Sequence, residues 1–191
     1  MAKKFEITAY YTILELLKYK SLDEISAADI TDAAGLTTQA FYYHAKNVPD
    51  SICLLVDRKI NQISLNRNDS VNEVVPIMKQ VLFYFREHKK LFNAMMQSKH
   101  RHLYLNRLYN SLYRAIFTRV RHQAELLLKE PCGRTIELLA AYITDSIYGV
   151  LYRDLQNGII DEPDEIIRNY KLFFHEAYSI TVEKYFRNSN A

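Results

Sequence analysis

The sequence predicts an all-α protein with a small N-terminal domain and a larger C-terminal helical one. Three observations carry this. Only 4 Gly and 4 Pro interrupt 191 residues, of which 49% are hydrophobic, including 15 Tyr and 9 Phe. Apolar residues recur at three- and four-residue steps, and no sustained alternation marks a strand. Near the N-terminus, two short helical patterns flank a glycine, with capping residues on either side.

Taken in order, Lys3 and Lys4 form a short basic arm. Residues 5–19 follow as a helix with Ile7, Tyr10, Ile13, Leu14 and Leu17 on one face, and Ser21 to Ile25 is a connection. Ser26 caps a second helix, with Asp29 three residues on as an acidic variant of the capping box. Ile30, Ala33 and Ala34 give it a small apolar face. Gly35 tolerates the left-handed conformation that ends a helix. Leu36 is an apolar plug, and Thr37 caps a third helix from Thr38 to about His44. Helix, Gly-containing turn and helix make a helix-turn-helix unit. At about 100° per residue, Phe41 and Ala45 fall on one side of the third helix. Thr38, Gln39, Tyr42 and Tyr43 fall on the other, with His44 at its far end. Those hydroxyls, amide and rings suit phosphates, base edges and thymine methyls; an ordinary helical hairpin in an all-α core accounts for the periodicity equally well.

Ile13, Leu17, Ile25, Ile30, Leu36 and Phe41 are the expected core of this domain, residues 1–49. The C-terminal domain is expected at 50–191, with a linker-like break near 67–70. A fourth helix runs from about Asp50 to Asn66, behind Pro49. Ser70 to Glu73 spells a capping box ahead of a helix in which Pro76 sits awkwardly. A short helix covers Leu91 to Gln97, and a long one residues 101–129, broken by Pro131, Cys132 and Gly133. Thr135 to Asn157 is a helix stopped at Asn157-Gly158. Asp161 is the expected cap of the last helix, with Pro163 near its start and Ile166, Tyr170, Phe173, Phe174 and Tyr178 on its apolar face.

The net charge is only +3, but it is unevenly spread. Residues 1–60 hold 7 Lys/Arg against 8 Asp/Glu, residues 79–129 hold 11 against 2, and residues 130–191 hold 6 against 10. The first segment is therefore not basic in sum, which argues against strong nonspecific DNA affinity. The basic middle is a solvated helix surface, or it faces an anionic ligand or an acidic partner. Cys53 and Cys132 form neither a disulfide framework nor a metal-spacing motif. The N-terminus has no apolar run of signal-peptide length, and no stretch reaches the ~20 apolar residues of a membrane span. A cytoplasmic protein is expected. Asp145, Asp154, His175 and Glu176 make no catalytic set. His100 and His102, two apart on a helix, point different ways, and no Cys or carboxylate completes a zinc site. With no phosphate loop and no nucleophile motif, neither an enzyme nor a metal or other cofactor is expected.

The stretch ITDAAGLTTQAFYYHAKN, residues 30–47, resembles the helix-turn-helix of the TetR family of bacterial transcriptional regulators. Ile30, Ala34, Gly35, Leu36, Thr37, Phe41 and Tyr42 stand in the matching places. Ala45 replaces the family's Phe, which thins the small domain's core. Val48 replaces its Lys at the next helix start, which removes an expected phosphate contact, although Lys46 is two residues away. SIYGVLYRDLQNGIIDEPDEIIRNY, residues 146–170, looks like the C-terminal domain of a subgroup of such regulators common in Firmicutes.

The resemblance implies a homodimer on a palindromic DNA operator, most often a repressor released by a small effector. Matched by residue, it implies DNA contacts from Thr37, Thr38, Gln39, Tyr42, Tyr43 and His44. Gln39 suits a bidentate pairing with adenine, Tyr42 a phosphate, and Lys46 a substitute phosphate contact. Tyr109, Tyr113, Tyr142, Tyr148 and Tyr152 line either an effector pocket or plain core and interface packing. Gly149, Tyr170, Phe174 and Tyr178 are expected at the dimer interface; a mid-helix Gly signals close helix approach, across the two-fold axis or against a core neighbour. The alternative from another class is a TetR-like interaction protein whose C-terminal domain binds a protein partner rather than a small ligand.

Overall fold

The computed structural model describes residues 2–64, 74–127 and 133–172. Among them are nine α-helices and no strand: α1 Ala2–Leu16, α2 Ala27–Ala34, α3 Thr38–His44, α4 Val48–Ser64, α5 Val74–Glu87, α6 Lys89–Gln97, α7 Arg101–Leu127, α8 Gly133–Gln156 and α9 Pro163–Tyr170. The predicted capping box at Ser70, together with Phe174 and Tyr178, lies outside the described residues.

The chain divides into two compact units. The first joins Met1–Lys59 to His88–Leu108, and the second joins Ile60–Glu87 to Tyr109–Ala191. In the first, α1 packs on α2 and α2 on α3. Ala9, Ile13, Leu22, Ile25, Ile30, Phe41, Ala45, Val48 and Ile52 are buried there, while Leu17 and Leu36 are only half-buried and Ile7 is exposed. The connection after α1 is more ordered than predicted. Leu22–Glu24 is one 3-10 turn, and the Glu24 carboxylate accepts the Ser21 backbone N–H at 2.9 Å and the Ser21 hydroxyl at 2.8 Å.

The second unit has its own core, with Ile77, Met78, Val81, Leu82, Phe85, Leu112, Ile116, Ile143, Ile147 and Leu151 all buried. There α5 packs against α9. The expected cap at Asp161 is off by one residue. Pro163 occupies the first helical position, where its fixed φ suits a helix start, so Glu162 becomes the N-cap. Asp161 instead offers its carbonyl to Arg86 Nη1 at 3.0 Å, Arg86 also pairs with Glu162, and Lys79 meets Asp164 at 2.7 Å. Part of the basic middle stretch is thus answered by the chain's own acidic segment.

Gly35 has φ 63°, and a Cβ added there meets nothing within 4 Å among the described residues. The whole cost of a side chain is therefore backbone strain. Gly35→Ala is expected to destabilise the chain by about 1–2 kcal/mol, read as a lower chemical-denaturation midpoint at unchanged slope.

Candidate nucleic-acid interface

The geometry of α2, turn and α3 is set by local hydrogen bonds. Ser26 Oγ accepts the Asp29 N–H at 3.1 Å, and Asp29 Oδ2 accepts the Ser26 N–H at 2.8 Å. Lys20 Nζ reaches the other carboxylate oxygen at 2.6 Å. Lys20 and the Ser26 donors together hold the Asp29 carboxyl well below the usual carboxylate range. At the other end Gly35 turns left-handed, its N–H points to the Asp32 carbonyl at 3.4 Å, and the Leu36 N–H bonds the Thr31 carbonyl at 2.9 Å. Thr37 Oγ1 accepts the Ala40 N–H at 3.1 Å and starts α3. Thr37 is thus first a cap, and its hydroxyl hydrogen is what remains to donate outward.

Phe41 and Ala45 are buried, so α3 turns the predicted face inward. Thr38 and Gln39 are exposed, Tyr42 is 57% exposed and Tyr43 84%. Tyr43 and the half-buried His44 meet edge to face at 5.0 Å. The Lys46 N–H donates to Asp50 Oδ2 at 3.0 Å while Asn47 Oδ1 accepts the Asp50 N–H at 2.8 Å. The start of α4 is therefore capped by its own side chains. Val48, in place of the family's Lys, is buried.

The predicted tyrosines of α7 and α8 are brought together in part. Tyr109 meets Tyr148 edge to face at 5.2 Å, and Tyr148 stacks on Tyr152 at 5.9 Å. The Tyr109 hydroxyl donates to Asp145 Oδ1 at 2.8 Å, and Tyr152 accepts from Gln156 Nε2 at 2.8 Å. Burial and the Asp145 carboxylate push the Tyr109 hydroxyl up to about 12. Tyr113 stacks instead on Phe117 at 5.9 Å, and Tyr142 is 67% exposed. Gly149 is exposed with nothing within 4 Å of an added Cβ, so among the described residues no core neighbour requires it. Tyr170 is buried within its own chain, its hydroxyl 3.2 Å from Ser146 Oγ.

Three long-range links within the first unit were not foreseen. Asp23 Oδ1 accepts the Ser98 hydroxyl at 2.5 Å and Oδ2 accepts the Lys99 N–H at 2.8 Å, across 75 and 76 residues. The Tyr10 hydroxyl bonds His88 Nδ1. Arg107 pairs with Asp57 at 3.3 Å. The Ser21–Glu24 spacing could have signalled the turn that presents Asp23; nothing local could have named its partners.

A family model described as the C-terminal region of a transcriptional regulator, of TetR type, matches residues 72–176, more than half of the chain. The chain belongs to the TetR family of transcriptional regulators. No curated protein matches it. Among solved structures, the fatty acid degradation regulator FadR from Bacillus halodurans is similar at a TM-score of 0.58 and 13% identity, over 93% of either chain. A protein of Pseudomonas aeruginosa PAO1 described as a transcriptional regulator is similar at a TM-score of 0.54 and 13% identity, over 98% of this chain and 95% of the other. At that identity the two support the TetR-type fold alone. Among the described residues of this TetR-family chain, no helix is long and apolar enough to cross a membrane, and no cluster of three His, Cys, Asp or Glu could hold a metal.

The Asp23 carboxyl is held below its ordinary value, first by the Lys99 N–H and then by the Ser98 hydroxyl. A depressed folded pKa contributes stability that is present above the unfolded value, about 3.9, and lost as pH falls through the folded one. Asp23→Asn should therefore melt below the wild type at pH 7. The gap should narrow as the pH is lowered beneath about 4, and a gap that stayed constant in thermal melts down to that range would remove Asp23 as its source.

Proposed function

We propose that this TetR-family regulator binds a palindromic operator as a homodimer, reads it with α3, and represses until an effector engages its C-terminal helical region. The observation that carries the reading is the outer arc of α3. Thr38, Gln39, Tyr42 and Tyr43 stand in water on a helix whose opposite side, Phe41 and Ala45, is locked into a core. A helix held that way can enter a major groove without rearranging. Within residues 1–49, taken as the DNA-reading domain, Gln39 is assigned to a base edge and Tyr42 to a phosphate. Lys46 stands in for the absent lysine at the start of α4. Thr37 and His44 flank the contact.

The C-terminal assignments rest on less. The Tyr109–Tyr148–Tyr152 chain, with Asp145 and Gln156 satisfying two of its hydroxyls, is the proposed wall for an aromatic or amphipathic effector. Such a ligand would act by favouring one of two arrangements of the dimer. Gly149, open among the described residues, is assigned to a helix crossing at the two-fold axis. The protein acts in the cytoplasm and catalyses no reaction on this reading.

Selection of bound duplexes from a random DNA pool at two salt concentrations tests the core of the proposal. A palindromic consensus that persists at the higher salt supports it; binding that is sequence-blind and vanishes with salt favours the interaction-protein alternative. Gln39→Ala is expected to relax preference at one base pair per half-site, and Tyr42→Phe to weaken all sequences alike. A uniform loss from Gln39→Ala in the same assay would remove the base contact. Gly149→Leu is expected to shift the chain from dimer to monomer in sedimentation while leaving its helicity unchanged; a variant that still sediments as a dimer would clear Gly149 from the interface.

A further inference from the structure

The first compact unit contains a cleft of about 260 Å³ between the end of α1, the 3-10 turn after it and α6. Leu17, Leu22 and Ala94 are its apolar lining. Lys90, Asn93 and Gln97 face it from α6 at helical spacings of three and four, while Leu91, Phe92 and Met95 turn into the core. The acidic groups around the cleft are already engaged. Both Asp23 oxygens are taken by Ser98 and Lys99, Asp29 holds Lys20, and Glu24 holds Ser21. Lys90, Asn93 and Gln97 make no side-chain hydrogen bond or ion pair with any described residue. The cleft is thus lined by two amides, by two ammoniums, of which Lys20 is paired with Asp29 and Lys90 with no described residue, and by the Asp23 carboxylate, which keeps its charge but has its two oxygens occupied by Ser98 and Lys99.

We infer that this cleft binds a small ligand carrying an oxyanion, a carboxylate or a phosphate, on a short apolar stem. Lys90 is its charge partner, Asn93 and Gln97 donate to its oxygens, and Leu17, Leu22 and Ala94 take the stem. The bond from Lys90 is the strongest contact available, because both of its partners are ionised, whereas the amides donate to the oxyanion from neutral groups. The site is separate from the tyrosines of α7 and α8. It does not depend on the DNA-reading proposal, because binding is read on the protein alone.

The test uses the full chain, 15N-labelled, titrated with potassium phosphate and separately with potassium acetate at ionic strength held constant with KCl. The side-chain amide resonances of Asn93 and Gln97 are expected to move along a saturable curve with at least one anion. Phosphate alone would identify a phosphate-bearing ligand, and acetate alone a carboxylate. Lys90→Gln, an exposed change, is expected to weaken that binding tenfold or more without altering the backbone spectrum. Lys89→Gln, one residue away and outside the cleft, is expected to leave it unchanged. Shifts that grow linearly with either salt, as nonspecific salt exclusion would give, overturn the inference. So does saturable binding that Lys90→Gln does not weaken.

Discussion

The left-handed turn at Gly35 is the constraint on which the presentation of α3 depends. With φ at 63° the chain reverses within two residues. Thr31 and Asp32 find partners for their carbonyls there, and Thr37 can cap α3 at once. Ile30 and Phe41 are then both fully buried, one on each helix. A side chain at that glycine would tax the turn itself, not any neighbour, since the space around it is open. The direction of α3, and so the outward aim of Tyr42 and Tyr43, follows from a backbone conformation that L-residues avoid.

That dependence explains what the sequence made legible. The capping bonds of Ser26, Asp29, Gly35 and Thr37 reach donors and acceptors within five residues, so those roles can be read without knowing the rest of the fold. α2 and α3 fall where those residues put them. The start of α9 was misread by one residue because two acids precede Pro163 and only the preference of Pro for the first helical position decides between them. In the C-terminal unit, helical phase separates the tyrosines. Tyr142 stands about 120° round α8 from Tyr148 at about 100° per residue, so a shared helix did not mean a shared contact. The links from Asp23, Tyr10 and Asp57 to residues 88–107 were invisible, because hydrogen bonding across some fifty to eighty positions leaves no local pattern.

Those invisible links enlarge the compact unit that holds the helix-turn-helix. α6 and the first two turns of α7 belong to the same compact unit as the helix-turn-helix. Asp23 fastens the turn between α6 and α7 to the turn ahead of α2, and the Tyr10 hydroxyl reaches His88, the residue that precedes α6. Single exposed ion pairs contribute little to stability. A carboxylate that satisfies a backbone N–H and a hydroxyl together is a firmer tie, because either donor left unmet would lose a charge-assisted bond. The orientation of α2 is thus conditioned by residues far downstream in the chain.

The distribution of charge then bears on how α3 could work. The segment that holds the helix-turn-helix carries no net positive charge. At the start of α4 the dipole that elsewhere attracts a phosphate is already answered by Asn47 and Asp50, and Val48 is buried where a lysine is expected. Within residues 1–60 little remains to release counterions from DNA in bulk. What remains is directional: the amide of Gln39, the hydroxyls of Thr38, Tyr42 and Tyr43, and two large exposed rings. Such groups reward one geometry and penalise others, because a polar partner left unpaired on binding costs more than a paired one gains. On the proposed reading, a weakly attractive surface of this kind would rely on fit for its affinity, and a homodimer would supply by repetition the strength that charge does not.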